Sequence, residues 1–338
     1  MILLCGIPSE TSQARLRAAL DDLGADYRFV NQRRVRTSEI QLEHDGRRLG
    51  GTLRHDGWTV ALEDVTGIYL RFMDDRALPE LAGEPDDSPA RAASRAFHDI
   101  VGQWAEVADA RVVNRYSAMG SNFSKPYQAQ LITEHGFAVP DTLVTNDPDL
   151  VRAFHAEHDR VIYKSISSER SIVATLVDGD LDGRLEAIRW CPVQFQAYVE
   201  GTDVRVHTIG SEVFATAITT DATDYRYAQR QTGTPATMEA YELPDELAQR
   251  CLRLGAGLGL DLAGIDLRLT PAGEAVCFEV NPSPVYSYYE AHTGQPIAAA
   301  IARHLAGGDT GLLVGQRAEE VAELALPRGG RDVEVDPL

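Results

Sequence analysis

The sequence is poor in positive charge, in cysteine and in long apolar runs, and each shortage excludes a class of function. Lys and Arg total 32 against 51 Asp and Glu, a formal net charge of −19 in 338 residues. A field of that sign repels nucleic acid and anionic lipid, so neither is an expected partner. It also makes the few cations informative, because an anionic ligand must be met by a local cluster of them. The four cysteines, Cys5, Cys191, Cys251 and Cys277, stand far apart and form no CxxC or Cys/His metal pattern. They read as buried free thiols in a reducing compartment. No stretch approaches the ~20 apolar residues that span a bilayer. The opening, MILLCGIPSETSQ, has no basic segment and no apolar segment of signal-peptide length, so a cytoplasmic protein is expected. GxSxG is absent, and no GxGxxG follows a strand; the GAGLGL at Gly255 reads as a helix end.

What is present is ordinary globular composition, 44 % hydrophobic and 25 % charged. The length suits two or three compact units of ~100–150 residues. Residues 1–111 alternate strand and helix signals: Met1–Cys5, then a helical spacing over Thr11–Leu23, then Tyr27–Val30, a βαβ opening. Its loop, Gly6–Glu10, is where an open α/β sheet meets a ligand. Turns at Asp45-Gly46 and Asp56-Gly57 mark hairpins between Ile40 and Arg71, and Gly67–Phe72 reads as a buried strand. A surface loop over Ala77–Ser88 leads into a helix reaching Val107. A second unit, 112–202, has helices at Lys125–His135 and Asp149–His158 and strands at Val161–Ser165, Ile172–Val177 and Val193–Val199. A third, 203–308, has strands at Val204–Ile209 and Val213–Thr219, a helix at Glu246–Leu258, a hairpin around Thr270–Glu274 and a last helix at Pro296–Leu305. The 309–338 tail is expected to be weakly attached.

The chemistry concentrates in the hairpin Ile265-Asp266-Leu267-Arg268-Leu269 and Val276-Cys277-Phe278-Glu279-Val280-Asn281-Pro282. Residues two apart on a strand share a face, so Glu279 and Asn281 project together, with Asp266 on the paired strand. By itself such a pattern is more often a solvated polar stripe. Its composition also suits a hard cation such as Mg²⁺, which takes a few oxygen ligands and completes its shell with water and phosphate. Two lysines favour the second reading. Lys125 opens a helix after Asn122 and Ser124, and Lys164 lies inside the apolar run Val161-Ile162-Tyr163, where it needs an anionic partner. A third piece is Gln194-Phe195-Gln196-Ala197-Tyr198-Val199, which leaves through Glu200-Gly201 to Asp203 and Arg205.

With these residues the chain resembles the ATP-grasp superfamily of carboxylate–amine ligases, from about Asn114 to Leu305. Within it the likeness is greatest to the microviridin or graspetide type, which crosslink ribosomal peptides. The chain is also similar to the branch that adds glutamate to a ribosomal protein. Gln196-Ala197-Tyr198-Val199, Val204-Arg205, Asp224-Tyr225-Arg226, Phe278-Glu279-Val280-Asn281-Pro282 and Ile68-Tyr69-Leu70-Arg71-Phe72 carry this likeness. The resemblance implies an α/β (α+β) ATP-grasp fold of three subdomains, with ATP held between two α+β units. It implies that Lys125 and Lys164 bind the phosphates, joined by Ser167 and Ser168 of the covering loop. Gln196, Ala197, Tyr198 and Val199 would form the adenine hinge, with backbone groups of Ala197 and Val199 on its edge. Asp203 would take the ribose. Asp266, Glu279 and Asn281 would hold Mg²⁺, two ions being expected and Mn²⁺ able to substitute. Arg205 and Arg226 would act on the γ-phosphate and the developing oxyanion. The covering loop reads Ser165-Ile166-Ser167-Ser168-Glu169-Arg170-Ser171 in place of a glycine-rich run, a departure shared with the peptide-crosslinking branch.

The implied activity is carboxylate activation as an acyl phosphate, then attack by an amine or hydroxyl of a peptide. Two alternatives stand beside it: a ligase of small molecules, such as an amino acid with a carboxylate, and an inactive nucleotide-binding regulator. The resemblance also implies a homodimer. His207, two residues from Arg205, reads as a core histidine or a site residue; His292 and the Tyr286–Tyr289 run read as packing or as an acceptor pocket.

Overall fold

The computed structural model describes residues 1–46, 49–165, 173–222 and 225–308. The opening apolar run is strand β1 (Ile2–Gly6), followed by helix α1 (Thr11–Asp22) and β2 (Tyr27–Asn31). An antiparallel meander comes next: β3 (Ser38–His44), β4 (Leu49–His55) and β5 (Trp58–Ala61). Asp56 and Gly57 turn β4 into β5 with φ of 45° and 84°, the left-handed pair a two-residue hairpin needs. Then β6 (Gly67–Arg71), α2 (Pro89–Val107) and β7 (Arg111–Val113) complete a parallel sheet in the order β2-β1-β6-β7. Both faces of that sheet are covered, which is why its strands are apolar without alternation. Phe97, Val101 and Trp104 of α2 pack on Leu3, Cys5, Ile68 and Leu70; Leu16 and Leu20 of α1 pack on Leu4 and Tyr69.

The middle of the chain holds α3 (Lys125–Glu134), β8 (Thr142–Thr145), α4 (Pro148–Glu157), β9 (Val161–Ser165), β10 (Ala174–Thr175), α5 (Asp178–Gly183) and β11 (Val193–Ala197). Its antiparallel sheet, β10-β9-β11-β8, has a small core of Val151, Val161, Leu176, Leu185 and Phe195. The last part comprises β12 (Thr202–Ile209), β13 (Glu212–Thr219), α6 (Ala228–Thr232), β14 (Thr237–Tyr241), α7 (Asp245–Gly257), β15 (Leu262–Leu269), β16 (Ala275–Asn281), α8 (Tyr286–Thr293) and α9 (Ile297–Leu305). Five of these strands form an antiparallel sheet, β14-β13-β12-β15-β16. One face buries Val204, Val206, Ile265, Leu267 and Val280 against Leu247, Cys251 and Leu254 of α7. Strand alternation then turns Asp203, Arg205, Asp266 and Glu279 to the other face.

Several segments cross between the sheets, among them α9, which packs on α1, β6, β7 and β12. Strand β7 straddles residues 111 and 112 and pairs with β6 of the first sheet. Helix α3 lies on β16, and Ile132 and Phe137 enter the core of the five-stranded sheet. Cys5, Cys251 and Cys277 are buried and Cys191 is exposed; all four are free thiols. Ile172, where a strand was expected to begin, and the 309–338 tail lie outside the described residues. Among those described, no helix is long and apolar enough to cross a membrane.

Phe195 is 2 % exposed and is the largest fully buried side chain of the small central core. Truncating it to Ala should cost about 3–5 kcal/mol. Urea unfolding followed by Trp fluorescence and circular dichroism checks this; a loss below about 1 kcal/mol would contradict the packing described.

Candidate active site

The five-stranded sheet presents a grid of charge. On β12 and β15, Asp203 stands opposite Arg268 and Arg205 opposite Asp266. Both strands carry the same D-x-R spacing, Asp203-Val204-Arg205 and Asp266-Leu267-Arg268, so antiparallel pairing matches every charge with its opposite. Arg268 donates through Nε and Nη2 to Asp203 Oδ1 at 2.9 and 2.6 Å. Arg205 Nη1 donates to Asp266 Oδ1 at 2.6 Å. Strand β16 extends the grid, with Glu279 opposite Asp266 and Asn281 opposite Gly264.

Lys125 completes the row from outside the sheet. As the first residue of α3 it donates to Asn122 Oδ1 at 2.8 Å, and its Nζ lies 3.1 Å from Glu279 Oε2. Burial would raise the Glu279 carboxyl, but Lys125 and then Lys164 pull it below the ordinary carboxylate range. Lys164 sits on β9 opposite Gln194, on the face away from Val161 and Phe195, so it addresses the carboxylates from the central sheet. Burial works against the Arg205 charge, yet the Asp266 carboxylate keeps the guanidinium firmly protonated. Glycine at 264 makes room for it: a Cβ there would overlap the Arg205 guanidinium and lie 2.7 Å from Pro284 Cβ.

The hinge is built differently from a free backbone edge. Ala197 N–H donates to Asp141 O at 2.9 Å and Tyr198 N–H to Arg160 O at 2.8 Å. Arg268 Nη1 donates to Val199 O at 2.8 Å, so one guanidinium joins the hinge to Asp203. The Tyr198 ring lies under the Arg160 guanidinium, 3.6 Å from its centroid, and Gln196 Nε2 donates to Thr142 Oγ1 at 2.9 Å. Thus the Ala197 N–H, the Val199 carbonyl and Asp203 Oδ1, all near the expected nucleotide contacts, already have protein partners. Ser167 and Ser168 lie outside the described residues, as do Asp224 and the Arg226 side chain.

Several supporting residues escaped the sequence reading. Gln128 brackets Val280, accepting its N–H at 3.0 Å and donating to its carbonyl at 2.9 Å, which ties the Lys125 helix to β16. Asn114 Nδ2 donates to Leu262 O and Pro282 O, both at 2.6 Å. Only Arg268 had a visible signal, the repeated D-x-R. The tyrosines of the 286–289 run begin α8; Tyr286 and Tyr289 are buried in the core, and the Tyr289 hydroxyl meets that of Tyr225 at 2.6 Å. His292 caps its own helix turn through Tyr288 O. His207 is fully buried against the edge of Tyr289, and neither ring nitrogen has a hydrogen-bond partner among the described residues.

The donor set of Asp266, Glu279 and Asn281 fits a hard divalent cation. All three offer oxygen, two are carboxylates directly opposite each other, and Lys125 and Arg205 hold positive charge against them. Among the described residues no group of three His, Cys, Asp or Glu side chains converges for a metal, so a cation here depends on Asn281 and on ligand oxygens.

Residues 124–305 match the model of the RimK-like ATP-grasp domain. The chain belongs to the RimK-like ATP-grasp family. Its structure resembles that of the ATP-grasp ligase PsnB complexed with a minimal precursor, at 26 % identity and TM-score 0.74 over 90 % of this chain and 98 % of that one. It resembles the macrocyclase MdnC from Microcystis aeruginosa MRC, bound with precursor peptide MdnA, at 20 % identity and TM-score 0.75 over 91 % and 100 %. A RiPP-associated ATP-grasp ligase of Chryseobacterium gregarium, in complex with ADP and a leader and core peptide, gives 21 % identity and TM-score 0.76 over 91 % and 97 %. No curated protein matches the sequence.

Replacing Gly264 with Ala should push the Arg205 guanidinium off Asp266 and lower turnover at least about tenfold, a loss of ~1.4 kcal/mol of transition-state stabilisation. Steady-state ADP release against an unchanged circular dichroism spectrum checks this; wild-type turnover would contradict it.

His207 sets a second expectation. Burial and then the Arg205 charge hold its pKa well below 6.5, so the native state binds fewer protons than the unfolded chain. Stability should be complete above about pH 6.5 and fall as pH drops below it. In His207→Leu this acid-side loss of Tm should shrink; an unchanged pH profile would sink the assignment.

Proposed function

We propose that the chain is an ATP-dependent ligase that activates a carboxylate as an acyl phosphate and joins it to an amine or hydroxyl. We propose further that its substrate is a ribosomally made peptide, in which it forms ester or amide crosslinks between side chains. The observation that carries the reading is the row Arg205–Asp266–Glu279–Lys125, faced by Lys164 from a second sheet. Such a row supplies oxygen donors for a cation and positive charge for phosphates in one cleft. The peptide-bound MdnC and PsnB structures support the peptide as substrate.

In this reading the central and C-terminal units, 112–202 and 203–308, hold ATP between them, and 1–111 walls the substrate side. The crossings of β7 and α3 tie the three together. The carboxylate of the substrate attacks the γ-phosphorus, forming an acyl phosphate and releasing ADP. Lys125, on leaving Glu279, and Lys164 neutralise the phosphoryl oxygens, and positioning supplies most of the rate. A divalent cation held by Asp266, Glu279 and Asn281 supplies charge neutralisation there; two ions, with Mn²⁺ able to replace Mg²⁺, are part of the proposal. Arg205 and Arg226 stabilise the oxyanion when the amine or hydroxyl attacks the acyl carbon and phosphate leaves. The Ala197 carbonyl and the Val199 N–H meet the adenine edge, since the Ala197 N–H and Val199 carbonyl are engaged. Asp203, oriented by Arg268, takes the ribose, and Ser167 and Ser168 cover the phosphates. A cytoplasmic homodimer without nucleic-acid or membrane partners completes the reading.

The test is the intact mass of short peptides encoded beside the gene after co-expression with the protein. The expected result is loss of one water mass per modified site, abolished in Glu279→Gln. No mass change, with hydroxylamine-trapped acyl products from small carboxylates, would replace the peptide by a small molecule. Neither signal, with tight MgATP binding, would favour a regulator.

A further inference from the structure

The loop after β16 has no regular secondary structure, yet three successive carbonyls in it accept hydrogen bonds from side chains. Pro282 O takes Asn114 Nδ2 at 2.6 Å; Ser283 O and Pro284 O take Arg71 Nη1 at 3.4 and 3.2 Å. Arg71 Nη1 also reaches Ser283 Oγ at 3.1 Å. Arg71 comes from the end of β6 in the first sheet, about 210 residues away in sequence, and its side chain is 9 % exposed. Glu10 fixes it from the other side, with Oε2 3.2 Å from Arg71 Nε and Oε1 3.4 Å from Nη2. Glu10 is itself fixed, because Oε2 caps α1 by accepting the Gln13 N–H at 2.9 Å. Gly6 permits this closeness: a Cβ there would lie 2.5 Å from the Arg71 carbonyl oxygen.

Ser283 is the link to the site. Its N–H donates to Asn281 Oδ1 at 2.8 Å, and prolines on both sides restrict the backbone that carries it. Of the three proposed cation ligands, Asn281 alone is neutral. It gains least from charge attraction and depends most on being held with its oxygen turned the right way. The C-terminal end of β1 and β6 is the switch point of the parallel sheet, where open α/β sheets receive ligands. Here the Glu10–Arg71 pair stands at that end of the sheet, and Arg71 reaches from it to the loop of another sheet.

We propose that Arg71 is a positioning residue for the cation site: through Ser283 it sets the orientation of the Asn281 amide oxygen, so that the first sheet controls cation affinity. This rests on the ATP-grasp reading of Asp266, Glu279 and Asn281. Arg71 touches neither nucleotide nor cation in this role.

The experiment titrates Mn²⁺ into the full-length protein with ADP, read by the EPR signal of free Mn²⁺, and measures ADP affinity separately without metal. Arg71→Met, confirmed folded by its thermal transition, should bind Mn²⁺ about tenfold more weakly with ADP affinity within about twofold of wild type. Ser283→Ala keeps the N–H and both carbonyls and loses one of the Arg71 acceptors, so its Mn²⁺ affinity should fall about two- to threefold. That variant removes no packing and carries the test if Arg71→Met does not fold. Wild-type Mn²⁺ affinity in the folded variants overturns the proposal. So does a raised KM for a peptide with unchanged Mn²⁺ binding, which makes Arg71 a substrate contact. A wild-type protein that binds neither ADP nor Mn²⁺ overturns the ligase reading itself, and this inference with it.

Discussion

Two ion pairs, Asp203–Arg268 and Arg205–Asp266, lock β12 to β15 in a single register, and the site depends on that register. A slip of one residue would turn the two charges of the slipped strand away from their partners and into the apolar core beside α7. A slip of two would set Arg205 opposite Gly264 or Arg268, without its carboxylate partner. Arg205 is 6 % exposed on its side chain, so removing Asp266 leaves a buried charge unpaired at a cost of about 3–5 kcal/mol. Asp266, which orders the sheet, is also one of the residues proposed to face a cation, so in this account structure and chemistry share their residues.

Positive charge arrives at this row from three parts of the chain. Arg205 lies within the sheet, Lys125 opens a helix laid on β16, and Lys164 stands on the neighbouring sheet. In a chain of net charge −19 these cations are what would admit an anionic nucleotide to the proposed site. Each also keeps Glu279 ionised against its burial. Gln128 and Asn114, both buried, hold the C-terminal end of the carboxylate strand from two further directions. Their paired hydrogen bonds explain how a polar face stays ordered between sheets.

Much of this was legible locally. Parallel strands show as unbroken apolar runs, Asp-Gly marks the β4–β5 turn, and Lys125 and Lys164 stand out because cations are scarce and one sits mid-strand. The family followed from Glu279-Val280-Asn281-Pro282 and its company. What was not legible depends on register and on distant contacts. The repeated D-x-R hints at the Asp203–Arg268 pair, but nothing local says that Arg268 also reaches the Val199 carbonyl, or that Gly264 exists to clear Arg205. The Tyr286–Tyr289 run reads in sequence as packing or as a pocket lining, because two of its core partners, Tyr225 and Leu262, lie far away along the chain. The joining of α3 to the C-terminal sheet is likewise a matter of Gln128 finding Val280, which no periodicity reveals.

The most direct measurement needs no knowledge of the acceptor or the donor: calorimetric titration of ATP into the protein with and without Mg²⁺, for wild type and Asp266→Asn. Tight binding to wild type that requires Mg²⁺, and that is lost in the variant while the fold persists, is the expected result. Equal binding in all four titrations, or none in any, would contradict the assignment of the charged row as a cation–nucleotide site.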